Sequence, residues 1–179
     1  MIFFTADWHI GHQMIMMYCH RPFANTDKMR HTIVGNYVRT VTDEDTVYFL
    51  GDMTLVGPAN KQYLLNITQR LPGKKHLILG NHDKLDPFDY EDGGFITIHT
   101  ALDIGEFVLV HDPAKCIVDP TRKWLCGHVH TLFKKNRTGN VLNVGVDQWG
   151  FFPVTIDEVR GYFDEESLIY ETGKKYEQL

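Results

Sequence analysis

Seven side chains of types that bind metal ions occur in the first 130 residues, each at or just beyond the end of a short apolar run. In chain order they are Asp7, His9, Asp52, Asn81, His111, His128 and His130. Carboxylate, amide and imidazole groups suit divalent manganese, iron and zinc. Seven such groups are about the number that two bridged divalent cations need, so the pattern predicts a binuclear metal site.

A pair of divalent ions about 3.5–4 Å apart can clamp a phosphoryl group together with the oxygen that attacks it. Because two dications repel each other, the site needs an anion between them, and Asp52 is the candidate bridge. The remaining ligands divide into two sets, one for each ion: Asp7, His9 and His130; Asn81, His111 and His128. The pattern therefore indicates chemistry at a phosphoester.

His82 directly follows a predicted ligand, and the neighbour of a ligand in a loop can face the substrate. An imidazole there could protonate the departing alkoxide. Asp83 is predicted to orient that ring, as carboxylates do for active-site histidines. We therefore assign catalytic roles to His82 and Asp83.

Three further polar residues each have two interpretations. His12 and Arg21 are candidates for binding the substrate phosphate. The alternatives are a supporting or surface position for His12 and an ion pair with a neighbouring helix for Arg21. Asp147 either orients a ligand histidine or forms a simple turn before residues 148–150, and the turn is favoured.

The segments that position these residues alternate between apolar runs and helical patterns. Apolar runs at 2–6, 46–50 and 76–79 predict buried strands that end at ligand loops. Apolar residues at four-residue spacing predict a helix over Thr26–Thr40, and Pro58 suits the first turn of a helix over 58–70. This alternation predicts parallel β-α units, whose functional groups gather at the carboxyl ends of the strands.

The second half of the chain is richer in strand patterns. Two strands, 95–101 and 106–110, are expected to flank a hairpin-like turn, and another covers Lys123–Cys126. Residues 155–158 have the pattern of a capping box, so a helix is predicted over 156–163. A single domain is expected over residues 1–179, with the chain from about residue 173 frayed.

Composition limits the function classes. The net charge is -5 and no run of Lys or Arg exceeds two residues, so nucleic-acid binding is not favoured beyond a local patch at Lys134, Lys135 and Arg137. The three cysteines lack C-x-x-C spacing, which predicts reduced thiols and a cytoplasmic protein. No stretch approaches the ~18 apolar residues of a membrane span.

Taken together, the motifs resemble the calcineurin-like metallophosphoesterase superfamily. They are Asp7-X-His9, Gly51-Asp52, Gly80-Asn81-His82-Asp83, His111 and Gly127-His128-X-His130. The resemblance implies an α/β fold, a four-layer α/β/β/α sandwich of two mixed sheets flanked by helices. It also implies a two-metal site, hydrolysis of a phosphoester by metal-activated water, and a general acid at His82. The segments 7–12, 18–23 and 142–147 further resemble a branch of small bacterial and phage-encoded members.

Departures from other branches narrow the expectation. No Asp-Arg-Gly motif follows Gly51-Asp52, unlike in the Ser/Thr protein phosphatases and the dinucleoside-tetraphosphate hydrolases. The chain after His130 is too short for the capping domain of the superfamily's nucleases. The segment between His111 and His128 is too short for the helical insertion of the lipid-sugar hydrolases. A compact and rather open site is therefore expected.

These features predict a binuclear-metal-dependent phosphoesterase that binds Mn²⁺, Fe or Zn²⁺, with Mn²⁺ favoured. A phosphodiester, with a nucleotide or cyclic nucleotide as the best candidate, is favoured over a monoester because few cationic groups near the motifs could hold a dianion. The alternatives are a phosphomonoesterase or nuclease on the same site, or a non-catalytic metal-binding scaffold for a protein partner. The expected partner is a small phosphoester rather than nucleic acid or a membrane, and the oligomeric state stays open.

Overall fold

The computed structural model describes residues 1–55, 61–116 and 121–164, which form two mixed β-sheets flanked by helices. The predicted start of a helix at Pro58 and the predicted frayed tail from residue 173 lie outside the described residues. None of the described helices combines the length and apolar character needed to cross a membrane. The α/β sandwich class of two mixed sheets flanked by helices, expected from the sequence, is confirmed.

The first sheet has five strands, of which four are parallel. They are β1 (Ile2–Thr5), β2 (Thr46–Phe49), β3 (Lys74–Ile78), β4 (Phe95–His99) and the short β9 (Val154–Thr155), in the order β4-β3-β2-β1-β9. β9 is antiparallel to β1. Thr5 pairs with Phe49, which pairs with Leu77. The loops after β1, β2 and β3 therefore leave the sheet at nearly the same level.

Helices cover one face of this sheet. They are α1 (Gln13–Tyr18), α2 (Thr26–Thr40), α3 (Lys61–Thr68) and α4 (Pro87–Asp92). α2 begins and ends where the sequence predicted, because the Asn25 side chain caps it by accepting a hydrogen bond from the Lys28 amide at 2.9 Å. Its apolar stripe of Met29, Ile33 and Tyr37 is buried against the sheet residues Phe3, Val47, Phe49 and Leu77.

The second sheet has four strands in sequence order. They are β5 (Ala101–Asp103), β6 (Phe107–Val110), β7 (Lys123–Cys126) and β8 (Val141–Asn143). β5 and β6 form the antiparallel hairpin expected from the sequence, and the remaining pairs are parallel. The predicted single strand over 95–101 is wrong. The chain changes sheets at Thr100, so β4 belongs to the first sheet and β5 to the second.

The core between the sheets is apolar. From the first sheet and its loops it takes Phe4, Leu50 and Ile78, and from the second it takes Phe107, Leu109, Leu125 and Leu142. Helix α5 (Ile156–Asp164) adds Val159 to this core. Its predicted capping box is present, since Thr155 N–H donates to Glu158 Oε2 at 2.8 Å and Glu158 N–H donates to Thr155 Oγ1 at 3.2 Å.

Parallel strands in both sheets bring their carboxyl ends to one edge of the sandwich. Backbone hydrogen bonds join the loops that follow, with His9 N–H donating to Asp52 O and Gly127 N–H donating to His111 O, both at 3.0 Å. The first bond links two loops of the first sheet, and the second links two loops of the second. The predicted ligands follow these strands, so the fold places them around one cleft.

Candidate metal centre

The backbone at the predicted ligands is unusual. Five of the seven have a positive φ angle: Asp7 (58°), His9 (48°), Asp52 (56°), His128 (72°) and His130 (47°). Residues with a Cβ atom rarely adopt this left-handed conformation, and it persists where the surrounding structure enforces it, often at functional sites. The tight turns aim side chains from successive loops toward a common centre.

The first set of predicted ligands, Asp7, His9 and His130, comes together in the structure. One ligand atom from each lies within 4.8 Å of the others. Asp7 is fully buried, and both its carboxylate oxygens accept from the His128 amide, at 3.0 and 2.9 Å. This contact ties Asp7 to the loop that carries His128 of the second set and His130 of the first.

The second set comes together in the same way. Ligand atoms of Asp52, His111 and His128 lie within 4.8 Å of one another. Oδ1 of Asn81 lies 3.0 Å from Nε2 of His111 and 2.9 Å from Nδ1 of His128. Nδ1 of His111 lies 2.7 Å from the Leu50 carbonyl oxygen, which accepts its hydrogen and leaves Nε2 to face the other ligands.

Asp52 lies between the two sets. Its Oδ2 atom is 3.5 Å from Nε2 of His9 in the first set and 3.3 Å from Nε2 of His111 in the second. Its Oδ1 atom accepts from the His82 amide at 2.9 Å. Burial alone would raise the pKa of Asp52, but the hydrogen bond and charge of His111 and the His82 amide outweigh it and lower the pKa to about 2. The carboxylate is thus held ionised at the centre.

The surroundings of His9 indicate whether a metal ion fits this cleft. Its ring is buried, and within the described part of the chain neither ring nitrogen has a hydrogen-bond partner. Burial, followed by the nearby charge of His130, lowers the pKa of His9 to about 3, so its imidazole is neutral at physiological pH. A buried, unpaired nitrogen lone pair is costly unless a cation occupies the space before it. The donor set fits Mn²⁺, Fe or Zn²⁺.

Two glycines leave room for the central carboxylates. A Cβ atom on Gly80 would overlap Oδ1 of Asp52, and one on Gly145 would lie 2.5 Å from Oδ2 of Asp7. Both neighbours are buried and hydrogen-bonded, so they have little freedom to move aside. Glycine at these positions therefore permits the close approach of loops that builds the site.

The ligand sets open into a cleft of about 520 Å³. Its described lining contains the imidazoles of His9, His12, His82, His128 and His130, together with a largely apolar wall that includes Ile15, Tyr18, Val129 and Leu132. The rings of His82 and His9 are 5.4 Å apart, and those of His12 and His9 are 5.6 Å apart. His82 and His12 are thus where a molecule bound at the ligands would meet them.

The expected contact between Asp83 and His82 is corrected by the structure. Oδ2 of Asp83 accepts from the backbone amides of Asp52 and Gly80, both at 2.8 Å, and in the described chain it makes no hydrogen bond to His82. Burial raises the pKa of Asp83 to about 6. The loop turns sharply after His82, so adjacent side chains diverge. Asp83 ties together the two loops that carry Asp52 and Asn81.

Arg21 also departs from the expectation that it binds a substrate phosphate. Its side chain is 0% exposed and donates to both carboxylate oxygens of Asp147, at 2.7 and 2.8 Å. Its other hydrogen bonds go to the carbonyl oxygens of Asp7 (2.7 Å) and Trp8 (2.9 Å) and to Sδ of Met29 (3.3 Å). The guanidinium therefore lies behind the ligand loop, without access to a bound phosphate.

Of the two interpretations of Asp147, the one favoured from the sequence is incomplete. Asp147 lies in a short 3₁₀ turn, but its Oδ2 atom is 2.9 Å from Nδ1 of His130. Cys19 lies beside them, and its Sγ atom is within 4.8 Å of ligand atoms of both residues. Cys19 was not singled out from the sequence, but it lies in segment 18–23 as Asp147 lies in segment 142–147, and the resemblance of both segments to one branch was a usable signal.

Comparison with known proteins shows the family of this chain. A family model for the calcineurin-like phosphoesterases matches residues 1–150. An uncharacterized protein of Methanocaldococcus jannaschii is 31% identical over 164 residues, which cover 87% of this chain and 87% of that protein. The structure of the protein of unknown function AQ665 from Aquifex aeolicus has a TM-score of 0.67 at 26% identity, covering 90% of this chain and 98% of that one.

A second solved structure is similar to this chain in fold only. The nuclease MPE of Pseudomonas putida has a TM-score of 0.50 at 24% identity, covering 72% of this chain and 61% of that chain. The family match covers the loops of every predicted ligand, and the relatives of similar length fit a branch of small members. The chain belongs to the calcineurin-like phosphoesterase family.

Proposed function

We propose that this protein is a binuclear-metal-dependent phosphodiesterase in which Asp52 bridges the two ions. Family membership supports the coarser statement, a metal-dependent hydrolase of phosphoesters. The observation that carries the proposal is the position of Asp52 Oδ2 between His9 and His111, at 3.5 and 3.3 Å. An anion at that point offsets the repulsion between two dications.

The proposed assignment gives one ion to Asp7, His9 and His130 and the other to Asn81, His111 and His128. When bound, two such ions activate a water molecule and neutralise charge on the phosphoryl oxygens. The protein supplies the placement, since its turns and hydrogen bonds fix each ligand before a substrate arrives. Mn²⁺ is our first choice of metal, although the ligand types also suit Fe and Zn²⁺.

His82 is the proposed general acid. Its backbone amide is anchored to Asp52 at 2.9 Å, while its imidazole lines the cleft beside His9. This arrangement ties the position of the ring to the bridging carboxylate. A proton donated from the imidazole to the departing oxygen avoids the release of an unprotonated alkoxide. His12, on the same side of the cleft, is the proposed contact for a non-bridging phosphate oxygen.

The charge of the cleft favours a diester. No lysine or arginine is present among the described residues that line it, and Arg21 is buried behind the ligands. A monoester dianion carries one more negative charge than a diester and would have only the metal ions and the imidazoles to hold it. The wall containing Ile15, Tyr18 and Leu132 suits the organic arm that a diester has in addition. A nucleotide or cyclic nucleotide has such an arm.

A nucleic-acid substrate has less support from the surface. Lys134, part of the local basic patch, places its ammonium 3.7 Å from the ring centroid of Trp149. The ammonium of Lys135 donates to the carbonyl oxygen of Tyr162 at 2.6 Å. Both lysines therefore use their charge within the protein. A nuclease would still show binding to oligonucleotides that weakens steeply as salt increases.

An assay with metal-stripped protein tests this proposal. It measures the hydrolysis of a chromogenic diester, bis(4-nitrophenyl) phosphate, and of the matching monoester. We expect hydrolysis only after Mn²⁺ is added back, with a preference for the diester. The control variant is His31→Ala, which removes an exposed histidine of helix α2 outside the cleft. Its rate of hydrolysis should match that of the wild type. Activity on the monoester alone would refute the substrate class, and two bound ions without hydrolysis of either would favour the scaffold alternative.

A further inference from the structure

The buried ion pair between Arg21 and Asp147 has no part in the function proposed so far. The two side chains are 0% and 2% exposed, and two nearly parallel hydrogen bonds of 2.7 and 2.8 Å join them. Burying a charged pair is expensive, and planar paired bonds of this kind are the geometry that makes it tolerable. The pair joins residues that are 126 positions apart in the chain.

The other contacts of this pair lead to one set of ligands. Arg21 donates to the carbonyl oxygen of Asp7 at 2.7 Å and to that of Trp8, the residue before His9, at 2.9 Å. Asp147 faces Nδ1 of His130 at 2.9 Å. A single guanidinium therefore holds the backbone of Asp7 and of Trp8, the residue before His9, and reaches His130 through one carboxylate.

The second set is supported differently. His111 is held by the Leu50 carbonyl at 2.7 Å, and Asp52 by the amide of His82 at 2.9 Å. In residues 1–55, 61–116 and 121–164, neither Arg21 nor Asp147 makes a hydrogen bond to Asn81, His111 or His128. The hydrogen bonds that Arg21 and Asp147 make to ligand residues are thus confined to the first set.

We propose that Arg21 and Asp147 are positioning residues for one of the two metal ions, the one held by Asp7, His9 and His130. This inference rests on the proposed function for the existence of two ions. The Asp147 carboxylate accepts the hydrogen of Nδ1 of His130, which leaves Nε2 of that ring with the lone pair a metal needs. Arg21 fixes both the carboxylate and the strained turn from Asp7 to His9.

The test measures metal binding rather than turnover. Metal-stripped wild type, Asp147→Asn and Arg21→Lys are titrated with Mn²⁺ by calorimetry, with Arg122→Lys as the control. Arg122 pairs with Asp103 at 2.6 Å on the surface and is not among the described residues that line the cleft. Lysine keeps the charge of Arg21 but cannot form the paired bonds or reach both carbonyls.

We expect each variant to bind one Mn²⁺ with wild-type affinity and the other roughly 10–100-fold more weakly, the usual effect of losing a residue that supports a ligand. In crystals of Asp147→Asn soaked at a Mn²⁺ concentration that just saturates the wild type, the anomalous peak should be weaker beside His130 and unchanged beside His111. Arg122→Lys should bind both ions as the wild type does. If Asp147→Asn does not fold, Arg21→Lys alone supplies the result.

Equal weakening of both ions, or of neither, would overturn the proposal, as would binding of fewer than two ions by the wild type. Circular dichroism of the metal-free variants shows whether weaker metal binding results from a loss of folding or from a change at one ion site. If the wild type binds two ions but hydrolyses no phosphoester, the proposed function fails while the selective loss in the variants still supports this inference.

Discussion

The Oδ2 atom of Asp52 lies 3.3 Å from Nε2 of His111, and the same oxygen lies 3.5 Å from Nε2 of His9. The two imidazoles belong to different ligand sets, and one carboxylate oxygen is shared between them. This shared oxygen distinguishes a bridged pair of sites from two independent ones. The first prediction concerns its removal.

Asp52→Asn removes the anion between the ions and leaves a neutral group of nearly equal size. We expect both ions to be weakened by more than the ~10–100-fold seen on loss of a supporting residue, because repulsion between the dications is no longer offset. Metal content after dialysis against micromolar Mn²⁺ measures this. Retention of two ions and full hydrolysis would show that Asp52 does not bridge.

Gly80→Ala should perturb the site through packing alone. The added methyl group would overlap Oδ1 of Asp52, so the variant should lose about 1–3 kcal/mol of unfolding free energy and much of its metal affinity. The matched control is Gly161→Ala in α5, where an added Cβ has nothing within 4 Å and should stabilise the helix by about 0.5–1 kcal/mol. Urea unfolding of both variants checks the contrast, and equal effects would refute it.

His82→Ala should affect substrates according to their leaving groups. A general acid contributes roughly 10²–10⁴-fold when the departing oxygen is basic, and much less for a 4-nitrophenolate, which leaves unaided. The measurement is kcat for a series of diesters that differ only in the pKa of the alcohol. The variant should show a steeper dependence on that pKa than the wild type. Equal losses across the series would mean that His82 acts in some other way.

Asp45 should make stability depend on pH in the acid range. The amino group of Met1 and the amide and hydroxyl of Thr42 donate to its carboxylate and lower its pKa to about 2. The unfolded carboxyl titrates near ~3.9, so the folded state favours the ionised form. This contribution is complete above about pH 5 and is lost as the pH falls toward 2.

The urea midpoint of metal-free wild type and Asp45→Asn, measured between pH 2 and 7, isolates this contribution. The wild type should be more stable near neutral pH, and the two curves should converge near pH 2, where Asp45 is protonated. A difference that stays constant over the whole range would show that charge at Asp45 does not cause it.

The sequence was most informative where local patterns decide the structure. Helix α2 was predicted to the residue because its period and the Asn25 cap agree. The predicted ligands come together in the structure because the apolar runs that precede them are strands whose carboxyl ends meet at one edge. The change of sheet at Thr100 was missed, since the alternation of side chains continues through it and nothing local marks which partner a strand takes.

Contacts set by tertiary structure escaped prediction. Asp83 was paired with His82 because they are adjacent, but a sharp turn carries its carboxylate back to the amides of Asp52 and Gly80. For Arg21 both a substrate contact and an ion pair with a neighbouring helix were open, and its partner Asp147, 126 residues away, could not be named because no spacing rule links them. The residue types of the predicted ligands could be recognised in the sequence. The contacts that hold these residues in place could be identified only from the folded structure.

The most direct test of the central claim is anomalous diffraction at the manganese edge from crystals of the wild type grown with Mn²⁺. Two peaks about 3.5–4 Å apart are predicted, one on each side of the Asp52 carboxylate. The first should contact Asp7, His9 and His130, and the second Asn81, His111 and His128. A single peak, or two peaks that do not share Asp52, would contradict the binuclear site.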